Sequence, residues 1–199
     1  MADKYFNDIK KAMLSSNPWS SHYASGFKKY IKEKIKIKQG HYCCYCLRDL
    51  LRETERNKHV EHILPKSVFP VYTFDLTNLA ISCVRCNSDR KHSDISFLTK
   101  DISKFRNRWS NSVYDPKLYR FVHPNLDNIS LHIERTVFTN DNRVYYRYKT
   151  RSEKGEFHYK YFDLNFYEQQ SIRKNQGIKK DQESKSSREL VELLFKKYS

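Results

Sequence analysis

The chain has 199 residues, of which 38 are Lys or Arg and 23 are Asp or Glu, so its formal net charge is +15. No apolar run reaches the roughly 20 residues that span a bilayer, and the N-terminal MADKYFNDIKKAML lacks the apolar core of a secretory signal. The sequence therefore argues against a membrane or secreted protein, and we expect a cytoplasmic protein with reduced thiols. The basic charge and the 15 Tyr and 12 Phe favour nucleic acid as partner, because cations neutralise phosphates and aromatic rings stack on bases.

Two helices are predicted in the first 40 residues. Apolar residues recur four apart within residues 4–14 and 20–38, as they do on one face of a helix. Gly40 is expected to end this helical lead-in, which we assign to residues 1–40.

The second half of the chain predicts a mixture of helices and strands. Residues 96–109 are predicted to form one helix. Its apolar side would comprise Leu98, Ile102, Phe105 and Trp109. Residues 129–149 predict a β-hairpin, because two runs rich in β-branched and aromatic residues flank the polar turn 139–142. A further strand is predicted at residues 157–163, followed by a helix from Asn165.

Five cysteines require an explanation other than disulfides in a reducing compartment. Four of them form two Cys-x-x-Cys pairs, Cys43 with Cys46 and Cys83 with Cys86. One pair would leave a redox role open, whereas two pairs in one small domain favour four thiolates around a structural Zn²⁺. Cys44 is left over, unless it replaces Cys43 as a ligand.

Three short sequence elements accompany the cysteines. They are VEHILPK at residues 60–66, NLAISC at 78–83 and NSDRK at 87–91. Their order resembles the HNH endonuclease family, and the resemblance covers residues 41–92. It implies an α+β protein whose nuclease core is a ββα-metal fold with a four-cysteine zinc site.

The same resemblance implies the organisation of the chain. We assign the zinc-stabilised core to residues 41–110, between the N-terminal helices and a C-terminal β-hairpin and helical extension at residues 111–199. The implied activity is metal-dependent hydrolysis of phosphodiester bonds in nucleic acid, with DNA as the expected substrate.

Each implied site residue has chemistry that suits its role. His62 is the expected general base, since imidazole titrates near neutral pH. Asn78 is expected to brace the loop that carries His62. Glu61 and Asn87 offer oxygen ligands for a catalytic Mg²⁺ or Mn²⁺ ion. The family more often has Asp at the position of Glu61 and often has His at that of Asn87, which leaves the metal preference open.

Three cations close to these residues are expected to bind the scissile phosphate. They are Arg85, Arg90 and Lys91. The histidines His41, His59 and His92 are interpreted as structural, surface or phosphate-contacting groups rather than as metal ligands.

A second resemblance extends beyond the core. HPNLDNISLHI at residues 123–133 and YFDLNFYEQQSIRK at 161–174 resemble HNH nuclease subunits of Septu-type and retron-linked anti-phage systems. These subunits act with an ABC-type ATPase, so the resemblance implies antiviral defence and such a partner. The apolar end of the tail, residues 190–195 beyond the polar stretch 177–187, either packs against the nuclease core or contacts this partner, and the partner contact is our hypothesis.

Three alternatives remain open at this point. An RNA-cleaving effector and a restriction-type nuclease would use the same chemistry. A zinc-knuckle module that binds nucleic acid without catalysis belongs to another class, and it would tolerate the loss of His62.

Overall fold

The computed structural model describes residues 3–140 and 143–176. It consists of two compact units that divide between Asp127 and Asn128. Both units contain helices and strands, which confirms the predicted α+β class. The sequence-based boundaries at residues 41 and 111 stay a prediction.

The first unit opens with two helices, α1 (Asp3–Met13) and α2 (Ser25–Lys38). They confirm the predicted helices, except that α2 begins only at Ser25, after two short 3₁₀ turns at Pro18–Ser20 and His22–Ala24. The buried apolar residues of α2 are spaced four apart, as on one helix face, and are Phe27, Ile31 and Ile35. Gly40 follows the helix with a φ of 64°, a left-handed conformation that favours glycine.

Two antiparallel strands form the centre of this unit. Strand β1 (Lys58–His62) pairs with β2 (Leu79–Cys83), with His62 opposite Leu79. A seven-residue π-helical turn, Arg85–Lys91, follows β2 directly. The order of strand, strand and helical turn is the one that the sequence elements predict.

The predicted helix at residues 96–109 is wrong. The backbone there has one 3₁₀ turn, Ser103–Phe105, while Leu98 forms an isolated β-bridge with Tyr119. The Asp101 carboxylate accepts a hydrogen bond from the Ser103 N–H at 2.7 Å, which closes a local turn at residues 101–103. The apolar residues of this segment are therefore spaced as on a helix without lying on one helix face.

The second unit begins with a β-hairpin, as predicted. Strands β3 (Ile133–Asn140) and β4 (Arg143–Thr150) pair antiparallel. Residues 129–131 form a 3₁₀ turn ahead of β3 rather than part of the strand. Of the predicted turn, residues 141–142 lie outside the described residues.

The predicted strand at residues 157–163 is wrong, because residues 157–161 belong to helix α3 (Glu153–Tyr161) and residues 162–163 form a turn after it. Ser152 caps the helix: its hydroxyl accepts a hydrogen bond from the Gly155 N–H at 3.0 Å. This cap starts the helix before the aromatic residues from Phe157 onwards are reached. A high content of Tyr and Phe therefore does not indicate a strand here.

Helix α4 (Asn165–Gln176) confirms the predicted helix from Asn165. The polar stretch 177–187 and the apolar end 190–195 lie outside the described residues. In residues 3–140 and 143–176, no helix has the length and apolar character needed to cross a membrane.

Replacing Gly155 by Ala should destabilise the second unit. The added Cβ would lie 2.1 Å from the carbonyl oxygen of His132, which is backbone and cannot rotate away. Alanine favours a helix by about 1 kcal/mol over glycine, but we expect overpacking to cost a net 1–3 kcal/mol, roughly. Urea unfolding measures the difference, with Gly26→Ala as control, since its Cβ meets only the Tyr5 ring at 3.2 Å. An unchanged midpoint for Gly155→Ala would contradict the close approach.

Candidate functional site

Four buried cysteine sulfurs converge in the first unit. All lie within 4.8 Å of one another, and they belong to Cys43, Cys46, Cys83 and Cys86. A tetrahedral Zn²⁺ with bonds of about 2.3 Å holds its sulfurs about 3.8 Å apart, and the sulfurs of Cys46 and Cys83 are 3.8 Å apart. The donor set therefore fits a zinc ion, and the predicted clustering of the four cysteines is confirmed.

Backbone hydrogen bonds fasten the first cysteine pair to β2. The Cys44 N–H donates to the Ile81 carbonyl at 2.9 Å, and the Cys83 N–H donates to the Cys43 sulfur at 3.3 Å. Leu47 takes a left-handed φ of 58°, which turns the chain sharply after Cys46. The first cysteine pair is thus held against β2, and the last residue of β2 is Cys83, the first cysteine of the second pair.

The fifth cysteine is outside the cluster. Burial raises the pKa of the Cys44 thiol well above its usual range, so this side chain stays neutral. Burial also opposes ionisation of Cys43, but hydrogen bonds from the surrounding thiols lower the pKa of Cys43 well below its usual range. A thiolate among the four clustered sulfurs is the state that binds a metal ion.

His62 ends β1 and is only 6% exposed. Its Nε2 lies 3.0 Å from the Thr73 carbonyl oxygen. Because a carbonyl only accepts hydrogen bonds, Nε2 carries the proton of the neutral ring and Nδ1 keeps its lone pair. The Trp19 indole packs edge-on against the imidazole, with ring centroids 4.5 Å apart. Burial, with the nearby charges of Lys66 and Lys91, lowers the pKa of His62 to about 3.

Asn78 precedes β2 and hydrogen-bonds two parts of the loop that follows His62. Its Oδ1 accepts from the Leu64 N–H at 2.6 Å, and its Nδ2 donates to the carbonyls of Leu64 and Tyr72 at 3.1 Å each. Leu64 is two residues beyond His62, and Tyr72 precedes Thr73, the partner of the imidazole. This is the geometry that the predicted bracing role requires.

Glu61 is 2% exposed and forms a buried ion pair. Its Oε1 accepts hydrogen bonds from the Lys91 ammonium at 2.8 Å and from the Tyr45 hydroxyl at 3.1 Å. Burial raises the pKa of Glu61, against the opposing effect of Lys91. Lys91 also donates to the His62 carbonyl at 3.0 Å and lies over the Phe97 ring.

The structure therefore reassigns Lys91, which the sequence analysis placed on the scissile phosphate. Its side chain is 0% exposed, and its ammonium lies between the Glu61 carboxylate and the His62 carbonyl. In this position it holds the end of β1 rather than facing a substrate. Arg85 is partly exposed and Arg90 is exposed in the same π-helical turn, and their contact with phosphate stays a prediction.

Asn87 has a different neighbour from Glu61. Its Nδ2 lies 3.2 Å from Nδ1 of His59, a residue for which the sequence analysis proposed no metal-binding role. The alternation of side chains along β1 could have indicated His59, since residues 59 and 61 point to the same face of a strand. The shared catalytic ion of Glu61 and Asn87 stays a prediction.

The described residues supply few ligands for such an ion. In residues 3–140 and 143–176, the four cysteines are the only group of three or more His, Cys, Asp or Glu side chains placed to share a metal. Mg²⁺ usually takes one or two carboxylates and completes its shell with water and substrate phosphates. With Glu61 engaged by Lys91, the residues present form at most part of a magnesium site.

Comparison with known proteins identifies this region. Residues 43–93, which contain the four cysteines, both central strands and the π-helical turn, match the HNH endonuclease family. The chain therefore contains an HNH endonuclease domain, and the resemblance expected from the sequence is confirmed.

A segment of 82 residues is 32% identical to a protein of Vibrio cholerae serotype O1 biovar El Tor described as the HNH endonuclease of retron Vc95. The match covers 40% of this chain and 38% of that protein, so the chain spans well under half the length of this relative. It confirms the resemblance to retron-associated nucleases. No solved structure matches the chain.

Loss of one cluster cysteine should abolish folding of the first unit. In small zinc domains the metal contributes about 10–16 kcal/mol of apparent binding free energy to folding. Cys46→Ser should give insoluble protein, or protein with well under one zinc ion per chain by elemental analysis. Cys44→Ser is the matched control and should keep the metal. Folded wild-type protein that holds no zinc would contradict the four-sulfur site.

His62 should stay neutral from pH 8 down to pH 5, since its folded pKa is about 3. The unfolded chain, with a pKa of about 6.5, binds more protons below that pH. Stability should therefore fall as the pH drops below about 6.5, and His62→Gln should remove this contribution. Imidazole NMR shifts, assigned by comparison with His62→Gln, measure the titration. A midpoint near pH 6.5 would contradict the buried, neutral ring.

Proposed function

We propose that the first unit is a metal-dependent endonuclease that hydrolyses phosphodiester bonds in nucleic acid, with DNA as the main substrate. The observation that carries the proposal is the buried imidazole of His62, whose Nε2 lies 3.0 Å from the Thr73 carbonyl oxygen. This histidine stands within the segment that matches the HNH endonuclease family.

The imidazole would act as general base through Nδ1. A ring whose Nε2–H is held by a carbonyl presents its other nitrogen in one orientation, as a base that accepts a proton from water must. With a pKa of about 3 the resting ring is a weak base. A phosphate group placed beside it would raise that pKa towards the working pH, because a negative charge stabilises the imidazolium.

Neighbouring residues would keep the base in place. Asn78 holds the loop that includes the Thr73 carbonyl, and Lys91 binds the backbone carbonyl of His62 itself. A bound Mg²⁺ or Mn²⁺ would stabilise charge on the phosphate and on the leaving oxygen. Glu61 and Asn87 remain the proposed protein ligands for that ion, and zinc is the proposed ion of the four cysteines.

The biological setting is also part of the proposal. The relative's association with a retron supports a role as an effector of anti-phage defence. Reduced thiols and nucleic acid occur together in the cytoplasm, which is the compartment we propose. The ABC-type ATPase partner stays a prediction, and its expected contact at residues 190–195 lies outside the described residues.

One observation favours a second candidate function. Glu61, the only carboxylate among the proposed catalytic residues, is neutralised by Lys91. A zinc-stabilised module that binds nucleic acid without cleaving it would be compatible with this ion pair. The two candidates differ in whether His62 has a measurable effect on cleavage.

Cleavage by His62→Ala distinguishes them. General-base catalysis typically contributes 10²–10⁴-fold, so we expect a loss of at least about 100-fold in cleavage of plasmid, single-stranded DNA or RNA with Mg²⁺ or Mn²⁺. Affinity for the same substrates should be nearly unchanged. His22→Ala, which removes an exposed histidine of the same unit, is the control. Equal cleavage by His62→Ala and wild type would refute the general base, and wild type that binds without cleaving would favour the binding module.

A further inference from the structure

A basic cleft lies beside the candidate site in the first unit. It has a volume of about 470 Å³ and is bordered by α2 and by the segment that leads into β1. Five cationic side chains line it around a single carboxylate, that of Glu55. The five are Lys28, Lys29, Lys32, Arg56 and Lys58.

Glu55 does not cancel this charge. Its carboxylate is shared by the ammonium groups of Lys32 and Lys36, each at 3.0 Å, and of Lys58 at 3.3 Å. Lys32 is the main cause that lowers the pKa of Glu55 to about 2, so the carboxylate stays ionised near neutral pH. Because one carboxylate stands against five cationic side chains, the net charge of the cleft is positive.

The cleft is continuous with the residues of the candidate site. His59 and Asn87 lie in its lining. Trp19 also lines it, and the same indole packs against the imidazole of His62. The Lys28 ammonium donates a hydrogen bond to the Trp19 carbonyl at 3.0 Å, which links α2 to the segment that carries this indole. A chain of phosphates in the cleft would therefore pass beside Asn87 and beside the indole that contacts the proposed general base.

We propose that this cleft binds the phosphodiester backbone of a nucleic-acid strand and leads it to the candidate site. The inference rests on the proposed function and deepens it, because it assigns substrate binding to the N-terminal lead-in. Lys91 cannot supply this contact from its buried ion pair. The cations of the cleft match the charge of phosphates, and the Trp19 indole in its lining suits stacking against a base.

The test uses protein with His62 intact and without added Mg²⁺ or Mn²⁺, so that cleavage does not interfere and Trp19 keeps its contact with the imidazole. The cleft variant adds Lys29→Glu and Arg56→Glu, two exposed cations that line the cleft. The control variant adds Lys34→Glu and Lys38→Glu, two exposed lysines of α2 outside that lining. Both variants change the net charge equally. Affinity for fluorescein-labelled DNA and RNA oligonucleotides is measured over a range of salt concentrations.

We expect the cleft variant to lose about tenfold or more in affinity for at least one of the two nucleic acids, with a shallower salt dependence. The control variant should change by less than about threefold. Equal losses in both variants would show a diffuse charge effect and overturn the proposal, as would an unchanged affinity in the cleft variant. Circular dichroism and zinc content verify that both variants are folded.

A second readout reports on the position of the strand. The chain has two tryptophans, so Trp109→Phe leaves Trp19 as the indole fluorophore. Oligonucleotide binding should change its fluorescence, and the cleft variant should lose this response at the same oligonucleotide concentration. Binding without any change at Trp19 would overturn the proposed path. These readouts need no cleavage, so absence of nuclease activity in wild type would refute the proposed function while leaving the test of the cleft intact.

Discussion

The convergence of four sulfurs is the constraint on which the first unit depends. A two-stranded sheet alone is at best marginally stable in water, and β1 and β2 form such a sheet. The cysteines join the turn before β1 to the end of β2 and to the π-helical turn after it. With these pieces tied together, the register of the two strands fixes where Glu61 and His62 stand. The positions of Glu61 and His62 thus depend on a cysteine cluster whose geometry fits a zinc ion.

The buried pair of Glu61 and Lys91 acts as a second tie within the same core. It joins the end of β1 to the end of the π-helical turn, and its ammonium also holds the backbone of His62. Removing one partner of a buried pair leaves an uncompensated charge, at a cost of about 3–5 kcal/mol. The pair therefore couples the orientation of His62 to the integrity of the core. It also explains why a lysine beside a proposed catalytic centre is unavailable to a substrate.

The sequence predicted correctly those features that depend on residues close together in the chain. The spacing of Cys43 and Cys83 to their partners followed from patterns within a few residues, whereas the ββα order of the core was implied by the resemblance to HNH endonucleases. The segment at 157–163 was mispredicted because the Ser152 cap starts a helix in spite of the aromatic run that follows. The segment at 96–109 was mispredicted because Leu98 pairs with the distant Tyr119, a contact that apolar spacing does not reveal. The burial of Lys91 and the contact of Asn87 with His59 depend on packing between distant parts of the chain. Lysine is rarely buried, so no sequence pattern favoured that outcome.

Glu55 has a consequence for the thermodynamics of binding. A lysine side chain carries about 2 kcal/mol of rotamer entropy, much of which is lost when a ligand first immobilises it. Lys32, Lys36 and Lys58 are already ordered by one carboxylate in the free protein. A polyanion in the cleft would meet in Lys32 a partly exposed cation whose rotamer entropy has already been lost during folding. One acidic residue that lowers the total charge can in this way make the remaining charge more effective.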